Sequence, residues 1–166
     1  MEALLTTPDG FDPAVLAHGS GVLIEERQVV TNCHVLSGGK SVRIRINGRR
    51  VPASLRGINL DADLCLLAVN RAGLDKDGDG SDIEPVEISN ENVTPGATVY
   101  AIGSPRGLTR SLSEGVVSGL RRDEHNIPII QTTASISPGS SGGGLFDHQG
   151  RLIGVTSFRI GQTGNL

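Results

Sequence analysis

Aromatic side chains are almost missing from this 166-residue chain: one Tyr, three Phe and no Trp make up 2% of it. No apolar run approaches the roughly 18 residues that a membrane-spanning helix needs, which excludes a helical span. Basic residues are not in excess: 15 Lys and Arg stand against 18 Asp and Glu, a net charge of −3. That balance gives no reason to expect nucleic acid or an anionic membrane as a partner. The start, Met1-Glu2-Ala3-Leu4-Leu5, lacks the basic head and long apolar centre of an export signal. Either the protein is cytoplasmic or its export signal lies outside these residues. Long helical patterns, internal repeats and low-complexity tracts are absent as well. Glycine, by contrast, is abundant, with 23 residues set between short apolar runs. With 37% hydrophobic and 20% charged residues, this is the composition of a soluble, turn-rich, all-β protein. The length suits one compact domain or two small packed halves.

The apolar pattern predicts strands in sequence. Residues 1–14 carry Pro8, Gly10 and Pro13 and read as an irregular lead-in, with 15–17 as the end of a strand. Residues 21–24 and 28–31 form a hairpin that delivers His34, followed by a single helical turn over 34–36. Val42, Ile44 and Ile46 alternate with Arg43 and Arg45, the period of a half-buried strand. Asn47-Gly48 is a hairpin turn into 49–56, where Pro52 suits an edge or bulge. Residues 64–69 form a buried strand, 70–84 a loop, and 85–88 and 92–96 lead into a second half. That half holds strands at 97–103, 111–120, 128–134, 143–146 and 151–157. About ten to twelve short strands at this spacing predict two antiparallel six-stranded β-barrels, one over residues 1–84 and one over 85–166.

One stretch makes chemical demands on the rest: Ser137-Pro138-Gly139-Ser140-Ser141-Gly142-Gly143-Gly144-Leu145. A serine between glycines suits a nucleophile on a tight turn, where substrate can approach the main chain closely. The amides of Gly139 and Ser141 could converge there on an oxyanion. A serine hydroxyl needs a base to take its proton and a carboxylate to orient that base. The chain has four histidines, of which His18 and His148 flank turns and His125 lies among charges. His34, in Val30-Thr31-Asn32-Cys33-His34-Val35-Leu36, follows a strong strand. The carboxylate comes from Asp61-Ala62-Asp63-Leu64-Cys65-Leu66-Leu67. The two cysteines, Cys33 and Cys65, lie beside these residues and are either buried thiols or a disulfide.

The order His, Asp, Ser, together with Gly19-Ser20-Gly21, resembles the trypsin-like serine peptidases of the HtrA (Deg) type over about residues 19 to 166. The resemblance implies the chymotrypsin-like double barrel and a site between its halves. It selects Ser141 over Ser140 as nucleophile, because the family's serine directly precedes Gly-Gly. It selects Asp63 over Asp61, because the acid directly precedes the apolar run. His34 is then general base and acid, and Gly139 and Ser141 supply the oxyanion hole. The substrate is a polypeptide, and no cofactor or metal is needed. Ser135, Ile136 and Pro138 would line the primary pocket, and Ser157, Phe158 and Arg159 would pair with substrate backbone. With no acid at the pocket base and Ile136 narrowing it, small aliphatic P1 residues are expected. Pro138 departs from the usual oxyanion loop and restrains the backbone ahead of Gly139. Relatives continue with a further strand and a helix, so the second barrel is expected to be incomplete at its C-terminal side. No room is left for a PDZ domain. The resemblance points to the bacterial envelope and to protein quality control. Trimers of the family form through N-terminal aromatics, where this chain offers only Phe11, so the oligomeric state stays open.

Three other readings remain. Gly139–Gly143 also fits the nucleophile elbow of the α/β-hydrolases, but that fold needs Asp and His well downstream on a parallel sheet. A peptidase fold that grips peptides without cutting them is a second. The third is calcium binding by Asp75-Lys76-Asp77-Gly78-Asp79-Gly80-Ser81-Asp82, which begins like an EF-hand loop and then places Val86 where the final acid belongs. A solvated acidic turn explains that stretch as well.

Overall fold

A computed structural model describes residues 2–6, 18–39, 41–46, 49–69, 83–104 and 111–158. Residues 15–17, the Asn47-Gly48 turn, the acidic 75–82 stretch, Arg159 and the chain end lie outside the described residues.

The first sheet holds β1 (Glu2–Thr6), β2 (His18–Ser20), β3 (Val22–Glu25), β4 (Gln28–Asn32), β5 (Ser41–Ile46), β6 (Arg49–Asn59) and β7 (Leu64–Val69). Its strand order is β2-β1-β5-β6-β7-β4-β3, antiparallel throughout. β2 and β3 stand at opposite ends of that order yet are separated by Gly21 alone. The chain itself therefore closes the ring, and the seven strands trace six strand paths around a barrel. Closure removes the exposed sheet edge that an open arrangement would leave. The lead-in contradicts the expectation of irregularity: β1 pairs with β2 on one side and β5 on the other. The reason is main-chain demand, since without β1 those two strands would present unpaired amides and carbonyls.

The alternation in β5 is used as predicted, and β7, expected as a buried strand, buries every second residue. Ile44, Ile46, Leu67 and Val69 point inward with Leu23, Val29 and Val51 to form the barrel core. Pro52 pairs with Arg43 of β5, and among the described residues β7 joins β6 from Ala53 onward, so the proline lies at the end of the β6–β7 pairing, as an edge position suits.

The second sheet holds β8 (Thr98–Gly103), β9 (Ser111–Arg122), β10 (Pro128–Thr132), β11 (Gly144–Phe146) and β12 (Leu152–Val155), in the order β10-β9-β8-β11-β12. Among the described residues it has five strands where six were expected. Val99, Ala101, Val117, Ala134 and Leu145 form its core. The outer edge of β12 is taken by the connecting segment: Ser89 N–H donates to Leu152 O at 2.9 Å and Leu152 N–H to Glu87 O at 2.8 Å. One residue earlier in register, Val86 N–H donates to Leu23 O of the first barrel at 2.9 Å.

A third apolar cluster joins the halves. Val22 contributes from the first barrel, and Phe146 and Leu152 from the second, flanked by Ile24, Val30, Val86 and Tyr100. Burial of each such side chain stabilises by about 1.5–3 kcal/mol. The halves thus share an apolar interface.

Candidate active site

β4 runs into a single-turn 3-10 helix, His34–Leu36, and places His34 at the rim of the first barrel. β7 begins one residue after Asp63, which reaches His34 across the β4–β7 pairing. His34 Nδ1 lies 2.5 Å from Asp63 Oδ2, and His34 N–H donates to Asp63 Oδ1 at 2.9 Å. Both carboxylate oxygens are therefore spent on one residue. The Asp63 side chain is 9% exposed and that of His34 37%, so the acid is shut away while the imidazole opens outward. A carboxylate on Nδ1 fixes the proton there and leaves Nε2 as the basic nitrogen.

Asp63 pays for this orientation with a left-handed backbone, φ +52°. Asp tolerates that region better than most residues. Three main-chain ties hold it there. Its carbonyl accepts from Cys33 N–H at 3.1 Å and from Asn32 Nδ2 at 3.0 Å, and its N–H donates to Leu60 O at 3.2 Å. Cys33 and Cys65 form a disulfide with Cα atoms 4.9 Å apart, which settles the choice left by the sequence. It cross-links the residue before His34 to the strand that starts after Asp63.

Ser141 arrives from the second barrel. Ser137 to Ser140 form a turn closed by Ser140 N–H to Ser137 O at 2.9 Å, with Pro138 and then Gly139 at φ +96°. Proline followed by a positive-φ glycine is a type II turn, so Pro138 fits it. Gly142 also has a positive φ, +84°, and a Cβ there would lie 2.2 Å from Ser20 O. The turn is tied down peptide by peptide. Ser20 N–H donates to Ser141 O at 2.7 Å, Gly142 N–H to Thr156 O at 2.8 Å, and Gly143 N–H to Ser140 O at 2.9 Å. Among the described residues the amides of Gly139 and Ser141 have no acceptor.

Ser141 is 4% exposed. Its Oγ accepts from Phe158 N–H at 2.9 Å and donates to Phe158 O at 3.3 Å. Among the described residues no hydrogen bond joins it to His34. The residues expected around the pocket fall out differently from one another. Ile136 is half-buried and leans on the core of the second barrel. Ser135, Pro138 and Ser157 are exposed, and Ser135 N–H is held by Ser113 Oγ at 2.7 Å. Among the described residues of this set, Phe158 alone is hydrogen-bonded to the candidate nucleophile.

Four supporting residues escaped the sequence reading: Ser20, Thr31, Asn32 and Thr156, all buried. Thr31 Oγ1 donates to Ser20 O at 2.7 Å and Thr156 Oγ1 to Ser140 O at 2.7 Å. Ser20, Thr31 and Asn32 lie inside the stretches around Gly19–Gly21 and His34, but their hydrogen-bond partners are remote in the chain. Thr156 carried no signal.

A double antiparallel barrel with His and Asp on one half and Ser on the other defines the chymotrypsin-like class of fold and site. The trypsin-like peptidase domain family matches residues 19–155, and the chain belongs to that family, among its HtrA-type members. It is 32% identical over 175 residues to the serine protease Do-like HtrA of Bacillus subtilis (strain 168), covering 95% of this chain and 37% of that protein. It is 34% identical over 145 residues to a probable periplasmic serine endoprotease DegP-like of Halomonas elongata, covering 84% and 29%. A crystal structure of the serine endoprotease from Yersinia pestis superposes with a TM-score of 0.73 at 27% identity, covering 93% of this chain and 52% of that one. The chain thus spans about a third of the length of these curated relatives.

Proposed function

We propose that this chain is a serine endopeptidase domain that hydrolyses polypeptides through an acyl-enzyme, with His34, Asp63 and Ser141 as the triad. The observation that carries the reading is the double hold of the Asp63 carboxylate on His34, at 2.5 and 2.9 Å. Such a hold is what a general base needs in order to keep one tautomer and to be stabilised as the imidazolium. In this reading residues 1–84 and 85–166 are two halves of one catalytic unit.

Substrate main chain laid along Ser157 and Phe158 takes up the Phe158 amide and carbonyl, and Ser141 Oγ turns to His34. Oγ attacks the scissile carbonyl carbon as its proton passes to Nε2. The carbonyl oxygen becomes an oxyanion, received by the amides of Gly139 and Ser141. The intermediate collapses, the amine leaves with the proton from His34, and water repeats the sequence on the ester. Either amide contributes about 100- to 1000-fold to turnover.

Pocket residues Ser135, Ile136 and Pro138 carry no acid, which favours small aliphatic P1 residues such as Val or Ala over Lys or Arg. Unfolded or damaged polypeptides, which offer extended backbone, are the substrates we infer. An oxidising compartment, the bacterial envelope, is supported by the disulfide and by the periplasmic DegP-like relatives.

The test is labelling by a fluorophosphonate probe, followed by cleavage of a peptide library. The native chain is expected to label, Ser141→Ala to remain unlabelled, and the library to be cut after Val or Ala. A folded native chain that does not label would mean a peptide-gripping module without catalysis. A profile dominated by Arg or Lys would overturn the pocket reading alone.

A further inference from the structure

Among the described residues, Ser20 is the one residue of the first barrel that hydrogen-bonds both residues of the proposed oxyanion hole. Its N–H donates to Ser141 O at 2.7 Å and its Oγ donates to Gly139 O at 2.8 Å. The same Oγ accepts from Ser104 N–H, at the end of β8, at 2.9 Å. Its carbonyl in turn accepts from Thr31 Oγ1 at 2.7 Å. Every polar group of Ser20 is therefore engaged, at a position 1% exposed. A hydroxyl has one proton to give, and here it goes to Gly139.

We infer that the Ser20 hydroxyl is a positioning group for the oxyanion hole, setting the separation and aim of the Gly139 and Ser141 amides from the opposite barrel. The inference rests on the peptidase reading above. The Gly139–Ser140 peptide is held at its N–H by Ser137 O at 2.9 Å and at its C=O by Ser20 Oγ. Removing the hydroxyl leaves the first tie and deletes the second, so Gly139 can drift while Ser141, still held by the Ser20 amide, stays. Two donors serve one oxyanion only when both point at it, and a displacement of about an ångström costs on the order of 100-fold. The described hydrogen bonds of Ser20 Oγ run to Gly139 and Ser104, while the His34 ring is held by the Asp63 carboxylate, so the substitution is aimed at the oxyanion side of the site.

The distinguishing signature is a loss in the chemical step with substrate binding and base titration unmoved. The experiment follows fluorophosphonate labelling at several probe concentrations and pH values for the native chain, Ser20→Ala and Ser20→Cys. The cysteine variant keeps nearly the same volume with a much weaker donor, so it decides the matter if the alanine variant does not fold. The expected result is a maximal labelling rate lower by about 10- to 100-fold, with an unchanged half-saturating probe concentration and an unchanged pH midpoint. Equal maximal rates in native and folded variant protein would overturn the role of Ser20 and leave the peptidase reading standing. A loss expressed only as weaker probe binding, or a shifted pH midpoint, would also overturn it. A native chain that never labels would remove the peptidase reading, and this inference with it.

Discussion

At the scale of single residues, the candidate site depends on atoms that would be strained or unpaired anywhere else. Asp63 stands in the left-handed region at φ +52° so that both its oxygens face His34. Asn32 and Cys33 hold its carbonyl while it does so. The charge on that carboxylate has a definite consequence. Asp63→Asn keeps the shape but offers His34 an amide, which favours the wrong tautomer of the ring. Turnover at neutral pH is expected to fall about 10⁴-fold, with little change in folding, measured on the peptide cut best by the native chain. A loss of less than tenfold would show that Asp63 does not orient the base.

Among the elements, the β11–β12 hairpin matters most, because Ser141 lies just ahead of β11. Its turn is clamped by Asp147 and Arg151. Asp147 Oδ1 accepts from Gln149 N–H and Arg151 N–H, both at 2.9 Å, while Arg151 Nε donates to Asp147 Oδ2 at 2.8 Å. Arg151 Nη1 also reaches Glu91 Oε1 of the connecting segment at 2.7 Å. Burial pushes the Asp147 carboxyl up, but the hydrogen bonds from Arg151 and Gln149 outweigh it and hold the group below its ordinary value of 3.8. The hydrogen bond from Arg151, then its charge, lowers Glu91 as well. A carboxyl whose folded value is depressed adds stability above its unfolded value and loses it as pH falls through the folded one. The stability difference between native protein and Arg151→Met should therefore stay flat from neutral pH down to roughly pH 5 and shrink below the ordinary carboxylate value. Urea unfolding at a series of pH values checks this, and a difference that persists undiminished at the acid end would show that the clamp is not ionic.

Over the whole molecule, the two barrels are joined by packing and by few main-chain bonds, while the first barrel carries a covalent cross-link. The Cys33–Cys65 disulfide closes a loop of 32 residues. Chain-entropy reasoning assigns such a loop about 3–4 kcal/mol of stabilisation. The double variant Cys33→Ala/Cys65→Ala should lose about 2–4 kcal/mol in denaturant unfolding. It should lose labelling earlier in the titration than the second barrel loses structure, because the cross-link sits beside His34 and Asp63. Simultaneous loss of both would mean that the cross-link stabilises the molecule as a whole and not the dyad in particular.

What could be read from the sequence was whatever depends on local pattern. Alternation gave the inward face of β5, the unbroken apolar run gave β7 as a buried strand without saying which residues face inward, and the stretches around His34, Asp63 and Ser141 stood out because glycine turns and apolar runs flank them. The placement of β1 could not be read, since it follows from the unpaired edges of β2 and β5 and those are not neighbours in the chain. The disulfide stayed undecided because spacing alone does not say whether two Cα atoms come within bonding reach. The left-handed Asp63, the ties of Ser20 to residues 104, 139 and 141, and the Ser141–Phe158 hydrogen bonds were likewise hidden. Residue type and local period determined which groups could do chemistry here. Only the closing of two barrels against each other decided how those groups are held, because hydrogen bonds between remote segments exist only once the chain has brought their ends together.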